Sequence, residues 1–187
     1  RLRLGLTFIN RWDVSSYVYS RELIMKTNGR IKTVLVGACS CGHVRYELHA
    51  QPMFIHCCHC SWCQRETGSA FAVNALIESS NIVVLEGETK SILMPSNSGA
   101  GQTIVRCKQC ESALWSYYGA AKERVSFVRV GTLENAISMA PDIHIYTVSK
   151  QDWVNLGGAV PAVAEYYRRS ECWPIESIER YQSVMKT

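Results

Sequence analysis

The sequence predicts a β-rich α+β domain. Three observations carry this: many short apolar or alternating runs, turn signals between them, and helical spacing confined to the C-terminal end. Residues 1–24 show neither clean alternation nor a capped helical stripe. With the residues up to 31 they are read as an N-terminal extension, with Met25 as a candidate natural start; Phe8, Trp12 and Tyr17 leave open that part of it folds against the core. Residues 32–187 are expected to form one domain. Thr33 to Ala38 is an apolar run that ends at the first cysteines. After the turn at Gly42, Val44, Tyr46 and Leu48 alternate with His43, Arg45, Glu47 and His49, as a half-buried strand does. Phe71 to Ile77, Ile82 to Leu85, Ser91 to Met94, Thr103 to Arg106, Ala113 to Tyr118, Val125 to Val130 and Ile143 to Val148 are further strand candidates. Glu86-Gly87, Pro95 to Gly99 and Tyr118-Gly119 separate some of them. Val160 to Arg169 and Ile175 to Met185 are expected to be helical, the second because Ile175, Ile178, Tyr181 and Met185 recur every three or four residues.

Composition narrows the function. The 187 residues are 47% hydrophobic and 19% charged, enough to bury a core and too apolar for an intrinsically disordered chain. The net charge of +4 permits an anionic ligand. The 20 Lys and Arg residues are dispersed, with no basic block interleaved with aromatics, so no nucleic-acid partner is expected. No run is long enough for a transmembrane helix, and Arg1 to Asn10 is too interrupted for a secretory leader, so the expectation is a cytoplasmic protein without a membrane partner. Self-association into a homo-oligomer stays open.

Eight of the nine cysteines fall into three tight groups, which in a reducing compartment read as metal ligands, zinc first, ahead of disulfides. Cys39-Ser40-Cys41 and Cys107-Lys108-Gln109-Cys110 each place two sulfurs on one turn. Two such turns brought together close a four-thiolate tetrahedron, a structural site with no open position. The competing reading is four buried free thiols. Cys58, Cys60 and Cys63 combine a one-residue and a two-residue gap in a single segment, and three ligands leave a fourth position for water or substrate, as catalytic sites do. His56 or His59 as a fourth ligand, Cys57 in place of Cys58, and a cluster shared with the other cysteines are the alternatives.

At these residues the chain resembles the glutathione-dependent formaldehyde-activating enzyme family, also called centromere protein V-like, of Mss4-like fold. The similar pieces are C-S-C-G from Cys39, C-H-C-S-W-C-Q-R-E-T-G-S-A-F from Cys58, R-C-K-Q-C from Arg106, and P-D-I-H-I-Y from Pro141 with Trp153. The resemblance runs from about Val34 to Pro174. It implies zinc-stabilised folded sheets with short C-terminal helices and two zinc ions per chain. One is structural, on Cys39, Cys41, Cys107 and Cys110; the other is catalytic, on Cys58, Cys60 and Cys63. Glu111 departs from the family's usual Gly, a residue that readily adopts the positive φ of a zinc knuckle. Cys57 and Cys172 lie outside the motifs and are expected to be bystanders.

The reaction implied by the resemblance is the addition of glutathione to formaldehyde, giving S-(hydroxymethyl)glutathione, carbon–sulfur lyase chemistry. A glutathione sulfur at the fourth position would lose its proton. Three thiolates on Zn²⁺ already sum to minus one, so the glutathione sulfur, not formaldehyde, is expected to take that position, and compensating positive charge is needed. Arg65 is the nearest candidate in sequence, and Thr67, Gly68 and Ser69 are candidate pocket donors; a solvated arginine and a plain turn are their alternatives. His144, between Ile143 and Ile145, and Trp153 are expected to be structural. The alternative function is a non-catalytic zinc module that binds a protein or nucleic acid. A redox sensor built on Cys57 and Cys58 ranks last, because adjacent cysteines close a strained disulfide.

Overall fold

The computed structural model describes residues 23–27, 30–96 and 99–186; the N-terminal extension up to residue 22 and part of the Pro95 to Gly101 turn lie outside them. Eleven strands alternate with short helices: β1 (Leu23–Thr27), β2 (Arg30–Ala38), β3 (Arg45–Leu48), β4 (Phe54–Cys58), α1 (Ser61–Thr67), β5 (Ala72–Glu78), β6 (Ile82–Glu86), β7 (Thr89–Met94), β8 (Gln102–Cys107), β9 (Ala113–Tyr118), β10 (Val125–Arg129), β11 (Ile143–Ile145), α2 (Arg169–Cys172) and α3 (Ile175–Lys186). They form a four-stranded sheet in the order β1-β2-β3-β6 and a seven-stranded sheet in the order β11-β4-β5-β10-β9-β8-β7. All pairings are antiparallel except β11 with β4. The fold is mainly β, as expected. No described helix is long and apolar enough to cross a membrane.

The large sheet is buried on both faces, so its central strands read as nearly continuous apolar runs. Odd positions of β5, Ala75 and Ile77, face a core shared with Val44, with Tyr46 and Leu48 of β3, and with Val105, Trp115 and Val128. Tyr46 meets the edge of Trp115 at 5.5 Å between ring centroids and hydrogen-bonds Thr132 Oγ1 at 2.6 Å. A Cβ at Gly37 would lie 2.3 Å from Tyr46 Cζ, so only glycine lets β2 pass over that ring. The opposite face packs Phe54, Leu76, Val125, Ile143 and Ile145 beneath Tyr167, Trp173 and α3. Phe54 stacks on Trp173 at 5.3 Å.

Several elements depart from the sequence expectation. The expected boundary at residue 31 falls within β2, whose backbone pairs with β1 from Leu23↔Val34 to Thr27↔Arg30. β4 and α1 were not anticipated. The strand expected over Ile143 to Val148 ends at Ile145, because Tyr146 takes φ 55° and turns the chain into a short 3₁₀ segment. The helix expected over Val160 to Arg169 is absent up to Arg168. Pro161 cannot supply a helical N–H, and the backbone instead lies along β11: His144 N donates to Pro161 O at 2.8 Å, Val163 N to His144 O at 2.9 Å and Tyr146 N to Glu165 O at 2.9 Å. The C-terminal helix forms as expected.

α3 is tied to the large sheet by charge. Arg180 Nε and Nη2 donate to the two Glu78 carboxylate oxygens at 2.8 and 2.6 Å, and Nη1 donates to Gln51 O at 2.9 Å. Burial would push the Glu78 carboxyl up, but the Arg180 hydrogen bonds and charge outweigh it and hold the group below the usual carboxylate range. A depressed native pKa contributes stability that is present above the unfolded value and lost as the pH falls through the native one. Glu78→Gln is therefore expected to cost about 1–3 kcal/mol near pH 7. In urea unfolding, the gap from wild type should shrink on acidification below about pH 4; a gap that stays constant down to pH 3 contradicts this account.

Candidate metal centres and the cavity beside them

The first cysteine cluster joins the two sheets. Cys39 and Cys41 follow the end of β2 in the small sheet, and Cys107 and Cys110 lie at the end of β8 in the large one; one sulfur from each of the four lies within 4.8 Å of every other. Cys39 and Cys41 sulfurs are 3.5 Å apart and those of Cys41 and Cys107 3.9 Å, close to the ~3.8 Å that a tetrahedral ion with ~2.3 Å metal–sulfur bonds requires. Each turn also directs backbone N–H groups at its first sulfur, Val44 N to Cys39 at 3.2 Å and Gln109 N to Cys107 at 3.3 Å. Ser112 Oγ ties the turns together, donating to Ser40 Oγ at 2.9 Å and contacting Cys110 Sγ at 3.1 Å. Burial opposes ionisation of Cys110, but the Ser112 bonds outweigh it and draw the thiol down to about 6. The donor set could hold a metal ion. Glu111 adopts φ 63°, the conformation expected of glycine there. Its carbonyl accepts from Arg106 Nη1 at 2.9 Å and its carboxylate meets Lys90 at 2.5 Å.

The second cluster, Cys58, Cys60 and Cys63, comes from a single strand-to-helix junction. Cys58 ends β4; Cys60 caps α1, its sulfur accepting from Cys63 N at 3.3 Å; Cys63 lies in the first turn. The three sulfurs lie within 4.8 Å of one another, and among the described residues no histidine or carboxylate joins them within that distance. Neither His56 nor His59 closes the site. The junction is braced from outside: His59 N donates to Ile145 O at 3.0 Å, Gln64 Nε2 reaches His59 O and Ser149 O at 2.6 and 2.8 Å, and Gln151 Nε2 donates to Gln64 Oε1 at 2.6 Å. Hydrogen bonds from Cys58 and Cys63, aided by backbone N–H groups, draw Cys60 down to about 2. The bond to Cys60 pushes Cys58 up. For Cys63, the Cys58 bond favours the thiolate, but Cys60 and burial raise the group to about 11.

These sulfurs open onto a cavity of about 330 Å³ under the C-terminal segment. Its wall includes His56, Asn74, Tyr118, Arg129, Tyr146 and Arg169. Of these only His56 is a sequence candidate, as an alternative fourth ligand; the other five carry no such expectation. One signal was available: Arg129 shares its strand face with Val125 and Phe127, and a charge on the apolar face of a strand is unusual. Burial, then the charge of Arg129, push His56 down to about 3, so its ring is neutral.

The remaining candidates lie elsewhere. Arg65, Thr67 and Ser69 are exposed and do not line the cavity; Thr67 Oγ1 donates to its own helix at Cys63 O, 2.8 Å away. Cys57, next to Cys58 on β4, points to the other face. Its sulfur is 3.6 Å from His59 Nε2, which is 3.0 Å from His144 Nδ1, and these three donors form a further group that could hold a cation. Trp153 is exposed, and Cys172 packs at the edge of the second core.

Among curated proteins no relative matches the chain. Among solved structures, a crystal structure of a Rhodobacter sphaeroides protein is similar at 18% identity, covering 68% of this chain and 99% of that chain, with a TM-score of 0.39. The family model described as glutathione-dependent formaldehyde-activating enzyme matches residues 34–149, more than half of the chain and a span that contains both cysteine clusters. On that match the chain belongs to the glutathione-dependent formaldehyde-activating enzyme family.

Proposed function

We propose that the chain is a zinc-dependent carbon–sulfur lyase of the S-(hydroxymethyl)glutathione synthase type, acting in the reducing cytoplasm on glutathione and formaldehyde. The observation that carries this reading is the incomplete donor set: three thiols on the wall of a cavity, with no fourth protein ligand among the described residues. A zinc ion held there supplies the means to bind a substrate thiol as thiolate, since a coordinating thiol is deprotonated outright. Cys58, Cys60 and Cys63 hold and orient that position. Addition forms one carbon–sulfur bond, breaks the carbonyl π bond and leaves its electron pair on oxygen, which takes a proton. Tyr146, on the cavity wall, has a hydroxyl raised to about 12, chiefly by burial, and so is a hydrogen-bond donor to that oxygen at neutral pH. Cys39, Cys41, Cys107 and Cys110 are assigned to a second, structural zinc that joins the sheets.

Glutathione and formaldehyde combine without a catalyst, so the decisive measurement is NMR exchange between free and adducted glutathione at equilibrium. Zinc-loaded wild type is expected to accelerate exchange and Cys60→Ser to abolish the acceleration; exchange no faster than in buffer removes this substrate pair and favours a binding module. The two clusters should also differ in their effect on folding. Cys107→Ser is expected to lower the thermal midpoint by about 10 °C or more and to abolish its sensitivity to chelator, whereas Cys60→Ser retains a cooperative transition within a few degrees of wild type. Equal losses in both variants would contradict the division into structural and catalytic sites.

A further inference from the structure

The strand register of the large sheet lines up three polar residues on the cavity face. His56 of β4 pairs with Asn74 of β5, and Asn74 with Arg129 of β10. Cys58, two residues beyond His56, lies on the same face. All three polar side chains are nearly closed off from water, at 3%, 3% and 8% exposure, although Arg129 carries a full charge. Arg129 Nη1 donates to Asn74 Oδ1, and Asn74 Nδ2 donates to Ala72 O at 3.4 Å, which sets the amide with its oxygen toward the guanidinium. Arg129 Nε and Nη2 have no hydrogen-bond partner among the described residues. Among the described residues the cavity wall has no Asp or Glu, and its other cation, Arg169, is exposed, 4.1 Å from the Tyr181 ring centroid. On its other side Arg129 borders a second cavity with Glu66 and Glu111, but these carboxylates pair with Arg106 and Lys90.

A buried guanidinium without a counter-ion is destabilising, because the charge gives up its hydration and gains no partner in return. The groups lining this cavity that a bound divalent ion would hold as anions are the three thiols of the second cluster. With a divalent ion, three thiolates sum to minus one, and a substrate thiolate takes the total to minus two. We infer that Arg129 is the counter-charge of the Cys58–Cys60–Cys63 site, a positioning residue held by Asn74 that lets this site keep a divalent cation and then accept an anionic ligand in preference to a neutral one. The inference rests on the metal-site reading above and deepens it.

Co²⁺ provides the test, through its sulfur-to-metal absorption, chelator competition and a count of bound ions. Arg129→Gln is expected to shed one of two ions at a chelator concentration at least about tenfold lower than wild type, with the other ion unaffected and Arg129→Lys close to wild type. Asn74→Asp, which places a rival carboxylate against the unaltered guanidinium, should loosen the same ion and decides the matter if Arg129→Gln does not fold. Metal-free Arg129→Gln should be at least as stable as metal-free wild type, an outcome that a merely structural arginine would not give. Identical chelator profiles for wild type and the two charge-altering variants, or loss of both ions together, overturn the inference.

2-Mercaptoethanol and imidazole, added to the Co²⁺ proteins, separate the inference from the proposed reaction. Arg129→Gln should bind the thiol at least about tenfold more weakly and imidazole equally well. Wild type that sheds its ion in an Arg129-dependent way but takes no thiol would leave the counter-charge in place and remove the thiol–aldehyde reaction. Catalysed exchange with chelator and thiol binding indifferent to Arg129 would do the reverse.

Discussion

The period of two along the strands of the seven-stranded sheet is the constraint on which the site depends. Both faces of that sheet are buried, so each strand serves two environments at once and consecutive residues never share a neighbourhood. On β4, Cys57 faces His59 and His144 while Cys58 faces the cavity. On β5, Ala75 and Ile77 fill the core beneath the small sheet while Asn74 and Leu76 line the cavity. A one-residue slip of β4 against β5 would exchange the two cysteines and take Cys58 away from Cys60 and Cys63. Packing of Phe54 against Trp173 and of Ile55 against the inner core guards that register.

The two cysteine clusters solve different mechanical problems. The four-thiol cluster spans the sheets, where β2 and β8 end without a common strand, and its turns are already set by N–H groups aimed at the sulfurs and by the Ser40–Ser112 bond. Glu111 holds a left-handed conformation there because Arg106, Lys90 and the Cys107 carbonyl engage its backbone and side chain. The three-thiol cluster needs no second sheet. It is fixed by a helix cap and by the braces from Gln64 and Ser149, and among the described residues no histidine or carboxylate joins its three sulfurs.

Much of this was legible in the sequence, for reasons that are local. Alternation in Val44 to Leu48 and the apolar run through Ala72 to Ile77 mark strands directly, and the spacing of Cys39-x-Cys41, Cys107-x-x-Cys110 and Cys58-x-Cys60-x-x-Cys63 foreshadows the two principal groupings that form. β4 is hidden in the sequence because Phe54-Ile55-His56-Cys57-Cys58 mixes apolar and ligand-type residues and shows no alternation. The segment from Val160 is not helical because Pro161 lacks the N–H a helix needs and the edge of β11 takes up its backbone hydrogen bonds. Arg65 is the arginine nearest the cysteines in sequence, whereas the one that lines the sulfurs' cavity beside them in the sheet stands on β10, brought there by a register that no local pattern encodes.

The same contrast in sequence separation bears on how the chain acquires its native state. Cys41 and Cys107 are 66 residues apart and meet only after strands of both sheets are in place, so that cluster depends on slow, long-range assembly. Cys58, Cys60 and Cys63 lie within one short loop, whose ends close on the timescale of tens of nanoseconds even in an unfolded chain. The proximity of these three thiols is therefore set by the local chain and precedes the sheet, whereas the four-thiol grouping is a product of it.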